Sequence, residues 1–184
     1  MKKHKMTKRL ILALGIICLS VTGVRADSVN EKEITYADPT IYVENGKYYR
    51  AANYSQTEKD EIKRQLGIPA GKKVLLCPAR LSPEKGHLAF LRLVSKTRQK
   101  ENLVLLLSGE GPLQEDIRRT AEQENLDVRL LGFQDQDAMI RLYAIADLFV
   151  LPSLSDPNPL TCIEACWAGK PLLVSEHVGN NPEL

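Results

Sequence analysis

Lys73-Val74-Leu75-Leu76-Cys77-Pro78-Ala79-Arg80-Leu81-Ser82-Pro83-Glu84-Lys85-Gly86 (KVLLCPARLSPEKG) is the stretch on which the fold turns. Lys73 to Cys77 is an apolar run of strand length. It shows no polar alternation, as expected of a strand covered on both faces. A proline-bounded loop follows and leads into a helix predicted over Leu88 to Lys100, with Leu88, Leu91 and Val94 facing inward. The loop carries Arg80 and Lys85 next to that helix start. A helix start presents N–H groups and partial positive charge. Arginine adds a planar fork suited to phosphate, and lysine adds a point charge. The pair reads as a diphosphate clamp, and equally as two solvated surface cations.

The same alternation continues on both sides. Upstream, Thr57 to Leu66 reads as an amphipathic helix with Ile62 and Leu66 on one face, closed by Gly67. Downstream, Leu103 to Leu107 is a second strand. Pro112 opens a helix with Leu113, Ile117 and Ala121 on one stripe. Val128 to Leu131 is a third strand, and Asp135 caps a helix holding Met139, Leu142, Tyr143 and Ala146. Leu148 to Leu151 is a fourth strand, Thr161 to Ala168 a helix ended by Gly169, and Leu172 to Val174 a fifth strand. Short apolar strands alternating with helices predict an α/β fold. Right-handed crossovers make it a Rossmann-like open parallel sheet with helices on both faces. Ligands on such sheets bind at the carboxyl ends of the strands.

Two more loops stand at those ends. Ser108-Gly109-Glu110-Gly111-Pro112 has two glycines, which permit a tight turn and close backbone approach or simply punctuate the chain. The loop from Pro152 to Pro159 is rigid and proline-rich and again enters a helix. Asp156 lies on it and Glu164 about one turn inside the helix. Ionised carboxylates accept hydrogen bonds from sugar and ribose hydroxyls. Alternatively, Asp156 fixes the turn and Glu164 complements the helix dipole.

Composition narrows the classes. Hydrophobic residues make up 43% and charged residues 26%, the balance of a soluble globular domain. The net charge is only +2, and Lys2, Lys3, His4, Lys5, Lys8 and Arg9 crowd the first nine positions. The remainder has no electrostatic footprint for nucleic acid. The basic run, the apolar run Leu10 to Val24 and the small residue Ala26 predict a signal peptide over residues 1–26, or an uncleaved anchor. Residues 27–56 read as an extended segment and linker, with an Asn45-Gly46 hairpin within Thr40 to Arg50. Cys77, Cys162 and Cys166 are an odd set that argues against a disulfide framework. Cys162 and Cys166 stand one helical turn apart, a spacing read as core packing rather than a metal site.

These loops resemble, in order and context, the C-terminal domain of family 4 glycosyltransferases of GT-B type. Ala79-Arg80-Leu81-Ser82-Pro83-Glu84-Lys85-Gly86 is similar to the family's G-R-L-x-x-E-K-G. Gly109 to Pro112 is similar to its G-x-G-P, and Asp156 with Glu164 to its E-x7-E pair. Ala165 to Pro171 and Gly179 to Leu184 are similar to its A-M-A-x-G-x-P and G-G-x-P-E-L segments. The resemblance spans residues 57–184. It implies that Arg80 and Lys85 hold the donor diphosphate, that Glu164 holds the ribose, and that Asp156 approaches the transferred sugar. Gly109, Gly111, Asn158, Leu160 and Thr161 complete the expected donor-binding set, with Asp156 and Glu164 as the expected catalytic acids. It further implies retaining transfer from a UDP- or GDP-linked sugar, with no metal and no cofactor beyond the nucleotide-sugar co-substrate. The acceptor, a saccharide or lipid, belongs to a second domain, so this chain is expected not to turn over alone.

Three departures stand out. Asp156 is one methylene shorter than the usual Glu, Asn158-Pro159 replaces Phe-Gly and so loses an N–H donor, and Ala79 replaces Gly. A shorter resemblance lies upstream. Thr35 to Tyr49 (TYADPTIYVENGKYY) looks like the opening of family 43 glycoside hydrolases, which implies a general-base role for Asp38 and a join near Tyr49 to Tyr54. The leader points to export, or to a membrane only if uncleaved, whereas nucleotide sugars are cytoplasmic. Three readings stand at this stage: a donor-binding transferase domain, a non-catalytic nucleotide-binding or interaction module, and a fragment of an exported hydrolase.

Overall fold

The structure is a computed structural model that describes residues 51 and 53–179. The leader, the Asn-Gly hairpin, Asp38 with its hydrolase-like segment, and residues 180–184 lie outside the described residues.

Five helices and five strands alternate along the described chain: α1 (Gln56–Gln65), β1 (Lys73–Pro78), α2 (His87–Val94), β2 (Leu103–Ser108), α3 (Gln114–Gln123), β3 (Val128–Gly132), α4 (Gln136–Ile145), β4 (Leu148–Leu151), α5 (Leu160–Trp167) and β5 (Leu172–Val174). Short 3-10 turns occupy Pro83–Lys85 and Lys100–Asn102. The strands form one sheet in the order β3-β2-β1-β4-β5, every neighbour parallel. This is the open parallel α/β sheet that the alternation predicts.

The core explains why the strands carry no polar alternation. Val74, Leu76, Val104, Leu106, Phe149 and Leu151 pack on one face with α1, α4 and α5. Leu75, Cys77, Leu105, Leu107, Leu148 and Val150 pack on the other with α2 and α3. Period two is present, but both phases of it are buried. β1 and β2 are aligned over their whole length, from Lys73 beside Leu103 to Pro78 beside Ser108.

Two helix boundaries differ from expectation by more than a single residue. α2 ends at Val94 rather than running to Lys100. There the Ser95 hydroxyl donates to the Arg92 carbonyl and the Thr97 hydroxyl to the Val94 carbonyl, local bonds that compete with helix propagation. α3 starts at Gln114, not at Pro112: Pro112 and Leu113 form a turn that the Gln114 N–H closes on the Gly111 carbonyl, and the Leu113 N–H anchors it to the Leu81 carbonyl of the neighbouring loop. The cap at Asp135 is present: its carboxylate accepts the Ala138 N–H at 2.8 Å.

Candidate functional site

The strand order reverses between β1 and β4. From β1 the chain moves to β2 and β3 on one side; β4 and β5 lie on the other. The helices leaving these two strands part company, α2 packing on one face of the sheet and α5 on the other. A crevice therefore opens at the carboxyl ends of β1 and β4, flanked by two helix N-termini.

The two loops that border it are fastened together. The Leu154 N–H donates to the Glu84 carbonyl at 2.7 Å. Lys85 Nζ donates to Asp156 Oδ2 at 2.6 Å, with the two side chains only 20% and 12% exposed. Gly86 has φ +72°, and a Cβ there would lie 2.1 Å from the Pro152 carbonyl oxygen, so only glycine allows the loops this close. Asp156 is itself held by its backbone: its N–H donates to the His177 carbonyl and its carbonyl accepts the Gly179 N–H.

A hollow of about 520 Å³ lies at the strand ends, lined by Arg80, Gly109, Phe133, Met139, Thr161 and Glu164, among others. That volume is within the usual range of small-molecule sites. Arg80 is exposed on its rim. Glu164 accepts a hydrogen bond from the Tyr143 hydroxyl at 3.0 Å, and the same hydroxyl lies 3.3 Å from the Thr161 carbonyl. Tyr143 is fully buried and stacks on Phe149, so its donor comes from a fixed point of the core. The Gly109 turn adopts φ +138°, and a Cβ there would lie 2.4 Å from the Ala79 carbonyl oxygen. Its close approach is to the neighbouring loop of the protein itself.

Of the residues expected from sequence, the hollow brings together Arg80, Gly109, Thr161 and Glu164. Lys85, Gly111, Asp156, Asn158 and Leu160 do not line it. Gly111 sits against the Leu81 carbonyl, Asn158 and Leu160 are exposed, and Pro159 is buried at the head of α5, where its carbonyl accepts the Cys162 N–H. Cys77 and Cys162 are buried free thiols of the core, and Cys77 is pushed up to about 12 by burial. Among the described residues no group of three His, Cys, Asp or Glu side chains stands together as a metal site. Nor is any helix among them long and apolar enough to cross a membrane.

Sequence reasoning missed the loop after β3. Phe133, 78% exposed, and Gln134 both line the hollow, as do Ser108 and Met139, whose hydroxyl and sulfur meet at 3.2 Å. The rule applied to the other strand ends would have found Phe133 and Gln134, since they follow the third strand directly. A second hollow of about 440 Å³, lined by Arg118, Asn125 and Val128 among others, lies against α3 and β3 and includes none of the strand-end loops.

Comparison with known proteins bears on the fold and the family. Residues 58–184 match the family described as Glycosyl transferases group 1. An uncharacterized glycosyltransferase of Methanocaldococcus jannaschii is 31% identical over 134 residues, 72% of this chain and 34% of that protein. The lipopolysaccharide 1,2-N-acetylglucosaminetransferase of Salmonella typhimurium is 30% identical, over 74% of this chain and 38% of that protein. Among solved structures, Anabaena HepE in complex with UDP and glucose is 25% identical with a TM-score of 0.61, covering 71% of this chain and 36% of that one. WaaG, a glycosyltransferase involved in lipopolysaccharide biosynthesis, shares the fold at a TM-score of 0.65 and 18% identity, over 76% of this chain and 37% of that one. The chain thus spans little more than a third of the length of the curated relatives it matches. With a match that covers most of the chain and every described strand, the chain belongs to the group 1 glycosyl transferases.

Proposed function

We propose that the hollow binds the nucleoside diphosphate part of a UDP- or GDP-linked sugar, for glycosyl transfer with retention. The observation that carries this reading is the meeting of Arg80 and Glu164 in one hollow at the reversal point of the sheet. A guanidinium on the rim and helix N–H groups favour a diphosphate. A carboxylate steadied by Tyr143 favours ribose hydroxyls. UDP in the Anabaena HepE complex supports the same ligand class. In this reading the leaving diphosphate is stabilised by fixed cations and dipoles, the kind of work that preorganised sites do best.

Lys85 enters this reading through its pair with Asp156. An ammonium has three donors, so Lys85 can keep Asp156 and still turn an N–H toward phosphate. Asp156, the shorter acid, spends one oxygen on Lys85 and reaches the sugar with what remains. Neither a non-catalytic module nor a family 43-like hydrolase has a comparable observation behind it.

Calorimetric titration of UDP, GDP and ADP tests the proposal. Arg80→Ala and Lys85→Ala are each expected to cost about 1.5–3 kcal/mol of affinity, the worth of a charge-assisted contact. Unchanged affinity in both variants would sink it.

A further inference from the structure

His87 takes no direct part in the hollow, yet it touches the segment that matters most there. It heads α2 and is 1% exposed, on the buried stripe His87, Phe90, Leu91 and Val94. A histidine at the start of an otherwise apolar stripe is not needed to fill space. Its Nε2 lies 3.1 Å from the Arg80 carbonyl oxygen, and its Nδ1 lies 3.5 Å from Cys77 Sγ. A carbonyl only accepts, so Nε2 carries the proton and Nδ1 is left to accept from the Cys77 thiol. The imidazole is therefore a neutral bridge between the end of β1 and the turn at residue 80.

That turn is tightly specified around Arg80. Its carbonyl also accepts the Ser82 N–H at 2.9 Å. Next along the chain, the Leu81 N–H donates to the Glu110 carbonyl and the Leu81 carbonyl accepts the Leu113 N–H, each at 3.0 Å. The backbone that aims the Arg80 side chain is thus pinned on one side by the Gly109 loop and on the other by His87.

We propose that His87 is a positioning residue for Arg80, and that its Nε2–H, rather than its bulk, sets the affinity of the hollow for a nucleoside diphosphate. This rests on the proposed function, since it requires Arg80 to contact the diphosphate. The charged or titratable groups facing the imidazole are Cys77 from β1, the Arg80 segment from the loop, and Lys85 from the 3-10 turn. Of these only the Arg80 carbonyl favours an imidazolium, and burial outweighs it. Cys77 stays a neutral thiol, Lys85 is a like charge, and burial itself holds the His87 pKa below its usual value. Protonation would turn Nδ1 into a second donor facing the thiol and disturb the bridge.

The test is a double-mutant cycle read by UDP titration of the full chain, with His87→Leu, Arg80→Ala and both together, and with His87→Gln as a variant that keeps a donor near the Nε2 position. His87→Leu is expected to weaken UDP about 3- to 10-fold, the range of one lost hydrogen bond. His87→Gln should recover most of that loss. In the Arg80→Ala background His87→Leu should add almost nothing, because the two act through one contact. If His87→Leu fails to fold, His87→Phe, an apolar ring with no donor, takes its place in the cycle with the same expectations. Undiminished affinity in the variant without a donor, or equal weakening in both backgrounds, overturns the inference. If Arg80→Ala itself binds UDP as wild type does, the proposed function fails first and this inference falls with it.

Discussion

At the scale of single residues, the site is a matter of which charges meet. Arg80 and Glu164 reach one hollow, whereas Lys85 and Asp156 are engaged with each other. Sequence spacing names all four but cannot assign partners, because the pairing depends on how two loops 71 residues apart are brought together. That pairing makes a stability prediction. Asp156→Ala leaves a mostly buried ammonium without its carboxylate, and should lower the unfolding free energy in urea by about 1.5–3 kcal/mol. Lys85→Met with Asp156→Ala together should cost less than Asp156→Ala alone, since no uncompensated charge is then left. A neutral result for Asp156→Ala would mean that the pair contributes nothing to holding the loops.

At the scale of elements, strands were legible and helix ends were not. A run such as Leu103-Val104-Leu105-Leu106-Leu107 has one reading in a chain of this length, and its bounds moved by a single residue. α2 was overextended because Ser95 and Thr97 look permissive for a helix until their hydroxyls are seen bonding back to carbonyls. α3 was opened early because Pro112, which suits a first helical position, instead sits in a turn closed on Gly111 and anchored by a tertiary bond to Leu81. Asp135, by contrast, was readable as a cap from its place before Gln136, and α4 carries both Met139 and Tyr143 to the site. Asp135→Ala should therefore cost about 1 kcal/mol of stability, measured by urea denaturation, through loss of the bond to the Ala138 N–H. Asp135→Ser, which keeps a capping oxygen, should cost a few tenths at most.

At the scale of the whole molecule, burial of His87 couples stability to pH. Desolvation lowers its pKa in the folded chain, while the unfolded chain takes a proton near pH 6.5. Below that pH the unfolded state binds more protons, so stability is full above about pH 6.5 and is lost as pH falls toward the lowered folded value. Carboxylates act lower. In Asp127 burial pushes the pKa up, but Arg129 and Lys72 outweigh it and hold the group below its usual value, so its contribution is lost only on acidification below about pH 4. Urea midpoints measured from pH 7 to 5 should thus decline in the wild-type chain and stay nearly level in His87→Gln. A parallel decline in both would show that another group is responsible.

The sequence by itself determined the alternation of strand and helix, the parallel sheet and the loops that leave three of its strand ends. Those features follow from local apolar runs, caps and turn residues, which need no distant partner. It also held the family likeness, since that lies in short motifs read in order. Only the tertiary structure decided that Lys85 faces Asp156, that the loop after β3 supplies Phe133 to the hollow, and that His87 bridges Cys77 and Arg80. Each of these is a contact between groups whose separation in space is set by the closing of the whole sheet, and no local pattern of residues encodes it.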